Sequence, residues 1–246
     1  MKLRVLLVNP NTTAAMTRMI EDATRRVPGV DALDITAVNP EVGPAAIETE
    51  ADEQVAVESM LGSAHRWAAE VGFDTVVVSC FRDPGVDELR ALTGIPVHGI
   101  AFHAMLAAQD AGGRFSIVCA MPSAVELMIA LADRYGFGDA LVSVRAVEMS
   151  VLDIARSPEA AADAVLETVR LCVDIDGAEA ACLGCAAMSP LAAALDVMSP
   201  IPVIDSVGAA VETVLKSVVS TGWGGGHPVI ARFDETSRRR FACTRS

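Results

Sequence analysis

The segment Phe73-Asp-Thr-Val-Val-Val-Ser-Cys80 is an apolar run of strand length that ends in a cysteine, and a strand-like Gly94-Ile-Pro-Val97 follows it. A second segment, Ala178-Glu-Ala-Ala-Cys-Leu-Gly-Cys185, has the same form and is followed by Pro200-Ile-Pro-Val203. In both cases a proline and a helical stretch lie between the cysteine and the next strand. The two halves therefore look like copies of one unit, with Cys80 and Cys185 at equivalent places.

The regions upstream of these segments also match. Leu3-Arg-Val-Leu-Leu-Val-Asn-Pro10 resembles Phe115-Ser-Ile-Val-Cys-Ala-Met-Pro122, and short apolar runs alternate with helical patterns along the chain, which is typical of parallel βαβ units. The predicted strands are 3–8, 33–38, 75–79, 96–100, 115–119, 143–148, 179–184 and 202–204. The predicted helices are 12–26, 51–71, 86–92, 102–111, 123–135, 159–175, 190–196 and 206–221. The sequence thus predicts an α/β protein with two similar domains, each a short parallel sheet flanked by helices.

The duplication also predicts the domain boundaries. The second half begins near residue 98 and ends near 207, so the second domain is expected at 98–207. The first domain is expected to combine 1–97 with 208–246, because the helix 206–221 would supply the closing helix that the first half lacks. Two crossings between the domains would make a hinge around a cleft.

Ligands of open parallel sheets bind at the carboxyl ends of the strands. Asn9, Cys80, Cys119 and Cys185 all follow predicted strands, so they are expected at one mouth between the domains. The residues expected to bind substrate around this mouth are Asn9, Ser79, Phe81, Arg82, Cys119, Ala120, Gly184 and Ala186.

Facing thiols suit one reaction above others, the removal of a proton from one side of a carbon and its return from the other. A base on one face and an acid on the opposite face are needed, and a thiolate and a thiol exchange these roles after each turnover. Cys80 and Cys185 are the predicted catalytic residues. The helix starts that follow them would favour the thiolate form, and backbone N–H groups near Phe81-Arg82 and Ala186-Ala187 could hold the developing enolate oxygen. A single buried cysteine is usually a small core residue. That interpretation suits Cys172, Cys182 and the C-terminal Cys243.

Other polar residues have both a functional and a structural interpretation. Asn9 could present its amide to a ligand or could only shape a turn. Arg82 could neutralise an acidic substrate group or lower the pKa of Cys80, and it could equally pair with Asp83 or Glu88. None of His65, His98, His103 and His227 has metal-ligand spacing. His103 alone is placed near the cleft, where a structural role is favoured.

Composition excludes several classes of protein. A net charge of −13 disfavours nucleic acid and anionic membranes as partners, and no apolar stretch is long enough to span a bilayer. The two lysines, Lys2 and Lys216, are not at strand ends, which argues against pyridoxal phosphate chemistry. No glycine-rich nucleotide motif is present. We therefore expect a homo-oligomeric, cytoplasmic protein with a small-molecule substrate and neither metal nor organic cofactor.

Nearly the whole chain resembles the hydantoin and allantoin racemase branch of the aspartate/glutamate racemase superfamily. The segments that carry the resemblance are Val8-Asn-Pro-Asn-Thr12, Cys80-Phe-Arg-Asp-Pro-Gly85, Leu183-Gly-Cys-Ala-Ala-Met188 and Val203-Ile-Asp-Ser-Val207. The resemblance implies cofactor-independent racemisation by two cysteines between two similar α/β domains. Relatives act on hydantoins, allantoin or amino acids, or decarboxylate malonates.

The chain departs from that family pattern at four places that are expected to border the ligand. They are Arg82, Cys119-Ala120, Glu48-Thr-Glu-Ala-Asp52 and Ala101-Phe102-His103. The resemblance therefore implies the chemistry better than the substrate.

The small and neutral residues around the mouth favour a neutral cyclic amide, such as a 5-substituted hydantoin or an allantoin-like compound, because burying an anion there would be costly without a firm partner. An acidic amino acid is the alternative substrate, with Arg82 as that partner. A decarboxylase or isomerase on the same scaffold, or a non-catalytic small-molecule sensor, would also fit the sequence.

Overall fold

A computed structural model describes residues 2–221, and within them the chain forms two parallel sheets of four strands each. The strands are β1 Leu3–Val8, β2 Leu33–Val38, β3 Thr75–Val78, β4 Val97–Gly99, β5 Phe115–Cys119, β6 Leu141–Ala146, β7 Ala180–Leu183 and β8 Val203–Ile204. The first sheet has the order β2-β1-β3-β4 and the second β6-β5-β7-β8, so one topology occurs twice. The α/β class and the two similar units predicted from the sequence are confirmed.

Helices connect the strands. They are α1 Ala14–Thr24, α2 Glu50–Glu70, α3 Val86–Thr93, α4 Ile100–Gly112, α5 Val125–Arg134, α6 Val151–Arg156, α7 Pro158–Asp174, α8 Ala192–Met198 and α9 Ser206–Thr221, with 3₁₀ turns at Val30–Ala32, Pro122–Ala124 and Ala186–Leu191. The predicted elements match these closely, except that α6 was missed. It is a single short segment that begins after Ser150, whose side chain accepts from the N–H of Asp153.

The strands that carry the cysteines are central in their sheets and buried. Every residue of β3 is buried, as is every residue of β7, and each of these strands lies between two others. Val78 pairs with Val8 across the first sheet, and Leu183 pairs with Val118 across the second. The residues that follow these paired positions therefore leave each sheet together at its carboxyl end.

Each half anchors its cysteine turn in hydrophobic packing that involves the other half. Phe81, the residue after Cys80, is 2% exposed and packs in a core cluster whose other buried members all lie between residues 101 and 182. Ala186 and Met188, which follow Cys185, belong to a cluster that also contains first-half residues such as Leu7 and Ile20. The two sheets are thus joined by apolar contacts immediately beside both cysteines.

The connections between the halves lie at β4 and α9. Gly99 still pairs with Val78 in the first sheet, and α4 follows at once and packs on β5 and β7 of the second. Helix α9 contacts α4 and also α1 of the first half. The division at 98 and 207, with α9 in the first domain, stays a prediction.

Some sequence features lie outside the described residues. They are positions 222–226 of the glycine-rich chain exit, the basic cluster Arg238–Arg240, His227 and Cys243. Among residues 2–221, none of the helices combines the length and the apolar character that a membrane span needs.

Candidate active site

A cavity lies at the carboxyl ends of the central strands, between the two halves. Both Cys80 and Cys185 line it, and both residues are half-buried. The remaining lining residues are mostly small or apolar: Asn9, Pro10, Asn11, Met16, Ile47, Glu48, Ser79, Phe81, Arg82, Ala120, Met121, Ala124, Met128, Val151, Gly184, Ala186 and Ala187. The structure therefore brings the two predicted catalytic cysteines to one site.

Of the predicted site residues, Cys119 is the one that does not line this cavity. It is fully buried, and its thiol donates to the backbone oxygen of Met121 at 3.4 Å. The others, including Asn9, Ser79 and Gly184, are on the cavity wall. The neighbouring Ala120 takes the place at the wall that Cys119 was expected to share.

The two cysteine turns stabilise their sulfurs in the same way. The backbone N–H of Arg82 donates to the sulfur of Cys80, and the N–H of Ala187 donates to the sulfur of Cys185. In each case the donor is two residues after the cysteine. Cys80 does not precede a helix directly, since α3 begins only at Val86. These two N–H groups therefore donate to the sulfurs, whereas the sequence suggested that N–H groups of these turns hold a substrate oxygen.

Burial dominates the protonation of both thiols. It raises the pKa of Cys80 to about 12 and that of Cys185 to about 11, although the N–H donors oppose the shift. A charge on Cys185 raises the pKa of Cys80 further, so the two sulfurs interact. Both groups are thiols at neutral pH, and one must lose its proton before it can act as a base.

Arg82 is the cation on the cavity wall among the described lining residues. Its Nε donates to Glu53 Oε2 on α2 at 2.5 Å, and its side chain is 7% exposed. Neither of the predicted partners, Asp83 and Glu88, makes this ion pair. The Nη2 group is buried and has no hydrogen-bond partner within residues 2–221.

Asp83 fixes the turn that begins at Cys80. It has a left-handed backbone, with φ of 48°, and its N–H donates to the carbonyl of Cys80 at 2.9 Å. Its carboxylate accepts from the N–H groups of Ala101 (2.9 Å) and Phe102 (3.2 Å) and from the hydroxyl of Tyr135 (2.9 Å). Burial raises the pKa of Asp83 to about 6, while those three bonds favour its charged form.

Glu48 is a cavity residue that the sequence analysis placed only within a segment bordering the ligand. Its Oε1 accepts from the backbone N–H of Val151 at 2.8 Å, so a first-half loop is joined to the start of α6 in the second half. Its charge raises the pKa of Cys185, after the larger effect of burial. The signal available in the sequence was the departure of the segment 48–52 from the family pattern.

Asn9 has a mainly structural set of contacts. Its amide nitrogen donates to Asn11 Oδ1 at 2.9 Å and to Thr17 Oγ1 at 3.0 Å, and its Oδ1 accepts from the N–H of Asn11 at 3.3 Å. Only a second lone pair on Oδ1 is left for a ligand. The structure therefore gives Asn9 the turn-forming role and leaves it a limited role in binding.

His103 and Phe102 lie outside the catalytic cavity, on the wall of a neighbouring hollow. His103 Nε2 is 3.0 Å from His98 Nδ1, and burial lowers the pKa of His103 to about 4. The segment Ala101-Phe102-His103 thus does not border the cavity as expected from the departure from the family pattern.

The sequence of the chain is similar to those of hydantoin racemases. The family model Asp/Glu/Hydantoin racemase matches residues 5–214. A hydantoin racemase of Pseudomonas sp. is 36% identical over 220 residues, which cover 89% of this chain and 87% of that protein. A hydantoin racemase of Rhizobium meliloti is also 36% identical, over 90% of each chain.

Solved structures give the same result. The structure of allantoin racemase from Klebsiella pneumoniae superposes with a TM-score of 0.81 and 35% identity, covering 95% of this chain and 94% of that one. The chain belongs to the Asp/Glu/Hydantoin racemase family, in its hydantoin and allantoin racemase branch, and it is an isomerase.

Proposed function

We propose that this enzyme racemises a 5-substituted hydantoin or an allantoin-like cyclic amide by moving one proton between two cysteines. The observation that carries the proposal is that Cys80 and Cys185, from equivalent strand ends, line one cavity with equivalent N–H donors to their sulfurs. Hydantoin racemases are among the relatives that cover most of the chain.

The proton transfers follow from the two thiols. One sulfur, as thiolate, removes the proton from C5 beside the ring carbonyl, and the electron pair moves to the carbonyl oxygen. The other sulfur, as thiol, returns its own proton to the opposite face of C5. The thiolate and the thiol have then changed places, so the enzyme is ready for the opposite enantiomer.

Ser79 is the side chain suited to the developing negative charge on the ring oxygen. It directly precedes Cys80, lines the cavity, and its buried Oγ has no hydrogen-bond partner within the described residues. A hydroxyl placed beside the reacting carbon can donate to an oxygen that gains charge in the transition state. We therefore assign it to the carbonyl beside C5.

The charges of the cavity support a neutral substrate. Arg82 is already paired with Glu53, and Glu48 adds a carboxylate to the wall. A free amino acid would bring a further carboxylate into a largely apolar space, which is costly without an unpaired cation. A hydantoin or related cyclic amide carries no such group.

Solvent exchange tests the reaction. One enantiomer of a 5-substituted hydantoin, incubated with the enzyme in deuterated water, should lose optical rotation and gain deuterium at C5. Enzyme-dependent exchange with aspartate or glutamate, and none with hydantoins or allantoin, would contradict the proposal.

Two variants test the roles of the sulfurs. Cys80→Ser and Cys185→Ser should each lower racemisation by about 10²- to 10⁴-fold. Each variant should keep slow C5 exchange with one enantiomer, and this enantiomer should be a different one for each variant. Cys172→Ser is the control, since Cys172 is buried in α7, away from the cavity lining. Full racemisation by either active-site variant would end the two-cysteine mechanism.

The remaining expectations from the sequence, namely independence from organic cofactors, a homo-oligomeric assembly and a cytoplasmic location, stay predictions.

A further inference from the structure

The guanidinium of Arg82 is fixed by an ion pair, but one of its N–H donor groups has no hydrogen-bond acceptor among the described residues. Its Nε is fixed by Glu53 at 2.5 Å, and its side chain is more than nine-tenths buried. Its Nη2 lies in the protein without an acceptor among the described residues. A buried donor without a partner is unfavourable, and more so when the donor is charged. An oxygen supplied by a ligand would relieve that cost.

The position of Arg82 indicates which part of a ligand would reach it. Arg82 and Met128 line both the catalytic cavity and a hollow beside α5, and Glu53 borders that hollow as well. The side chain therefore extends from the Cys80 turn towards α2 and α5. With the stereocentre between the two sulfurs, we take the group that reaches Arg82 to be the substituent on C5.

The charges near Arg82 indicate the chemistry of that substituent. The ion pair with Glu53 is already neutral, and Glu48 contributes a negative charge to the same cavity. A carboxylate on the substituent would leave a net negative charge in a poorly solvated space. A carbonyl oxygen accepts the Nη2–H bond without adding charge, and Met121, Ala124 and Met128 supply apolar contacts for its stem.

We propose that Arg82 is a specificity-determining residue, which selects substrates whose C5 substituent ends in a neutral carbonyl oxygen that accepts from Nη2. The inference rests on the proposed hydantoin racemase activity and names its preferred substituent.

Three hydantoins of similar size test the preference. Their C5 substituents are carbamoylmethyl, which carries a neutral carbonyl, carboxymethyl, which carries a carboxylate, and isobutyl, which is apolar. For the wild-type enzyme, kcat/KM for the carbamoylmethyl compound should exceed that for the isobutyl compound by about 10- to 100-fold, the range of a hydrogen bond to a charged donor. A preference for carboxymethyl over carbamoylmethyl would overturn the assignment to a neutral acceptor.

The variant Arg82→Met tests the residue itself. Arg82 also lowers the pKa of Cys80, so its loss affects every substrate, and the ratio of kcat/KM between substrates is the informative quantity. That ratio, carbamoylmethyl over isobutyl, should fall about 10-fold or more. Arg25→Met, on the exposed surface beside α1, should leave it unchanged.

The outcomes separate the two proposals. An unchanged ratio in Arg82→Met, or a wild-type enzyme that does not distinguish the carbamoylmethyl and isobutyl compounds, would overturn the role of Arg82 while racemisation itself stands. Absence of exchange with all three hydantoins and with allantoin would instead overturn the proposed function. If Arg82→Met does not fold, the kcat/KM values of the wild-type enzyme for the three hydantoins decide whether a neutral carbonyl is preferred, since they need no variant.

Discussion

The two cysteine turns share a backbone arrangement and differ in almost every side chain. In the first turn, Cys80 is preceded by Ser79 and followed by a large aromatic, a cation and a buried carboxylate, Phe81-Arg82-Asp83. In the second, Cys185 is preceded by Gly184 and followed by Ala186-Ala187-Met188. Both turns nevertheless donate one N–H to the sulfur from the second residue after the cysteine.

This difference between the turns suggests a division between substrate recognition and inversion of the stereocentre. What the halves share is backbone geometry, and it supplies each sulfur with one N–H donor at the same position. The first turn adds side-chain chemistry: a carboxylate that fixes the turn, and a hydroxyl and an Nη2 that have no partners among residues 2–221. The second turn contributes small and apolar side chains to the wall. Substrate recognition is therefore expected to depend on the first half, and inversion on both.

The largest effect expected from the shared geometry is on the pH dependence of activity. One N–H per sulfur does not offset burial, so the pKa of Cys185 is about 11 and that of Cys80 about 12. Raising the pH below these values increases the thiolate fraction about tenfold per unit, so kcat/KM should rise about 100-fold between pH 7 and 9.

The measurement is initial racemisation rate against pH, with the rate without enzyme subtracted at each pH. The Cys80→Ser variant provides a second baseline. A flat profile over this range would show that one sulfur is already a thiolate at neutral pH.

The next largest effect concerns Asp83, whose counterpart in the second turn is Met188. Asp83→Asn puts an amide group among three donors, and it should lower the free energy of unfolding at pH 7 by about 1–3 kcal/mol. It should also lower kcat/KM, because the turn that carries Cys80 loosens. Urea unfolding and steady-state kinetics measure the two effects.

The raised pKa of Asp83 adds a pH signature. Burial raises it to about 6, above its unfolded value, so the folded state binds this proton more tightly. As the pH falls from about 6 towards 4, Asp83 therefore adds stability that is absent at higher pH. The Asn variant should lack that gain. Met188→Leu, which keeps an apolar side chain, should leave the pH dependence unaltered, and equal pH dependence in all three proteins would contradict this role of Asp83.

The smallest effects are expected at Ser79 and Gly184, the residues before the two cysteines. A Cβ at Gly184 would lie 2.8 Å from Ile117 Cγ2 and 3.0 Å from the carbonyl oxygen of Val118, so Gly184→Ala should destabilise by about 1–2 kcal/mol. Ser79→Ala removes a hydroxyl that has no partner among the described residues, and it should leave stability unchanged or raise it by up to about 1 kcal/mol.

Thermal unfolding of both variants, together with kcat and KM, separates packing from catalysis. Ser79→Ala should fold normally and lower kcat and kcat/KM several-fold, because its hydroxyl is assigned to an oxygen that gains charge in the transition state. A clear loss of stability in Ser79→Ala would show that its hydroxyl has a structural partner.

Most of the fold and the placement of the two cysteines could be predicted from the sequence, because strand ends and their order along the chain are local properties. The buried runs before Cys80 and Cys185 and the repeated Ile-Pro-Val strands were enough to predict both thiols at one mouth between the two sheets. The predicted bounds of β1, β2 and β5 coincide with those of the structure for the same reason. Helix α6 was missed because its six residues, which end just before Ser157-Pro158, give too short a periodic pattern.

What could not be predicted depends on contacts between distant segments. The ion pair of Arg82 is with Glu53 on α2, and the partners of Asp83 are at the start of α4 and on Tyr135. Glu48 is joined to Val151, which lies in the other half. Local spacing suggested neighbours such as Asp83 for Arg82, because spacing contains no information on which helices pack together. Likewise, Cys119 is at a strand end, but its side chain turns inward.

The burial of Phe81 in the packing of the opposite half has a consequence for how substrate enters. If the two halves swung apart as rigid bodies, Phe81 would be pulled out of that cluster, which would cost about 2–3 kcal/mol and displace Cys80 with it. Admission by movement of the segment that carries Ile47 and Glu48 would leave both sulfurs in place, and it would break contacts such as the hydrogen bond from Val151 to Glu48. Such an enzyme would exchange its substrate through a local opening while the catalytic pair stays assembled.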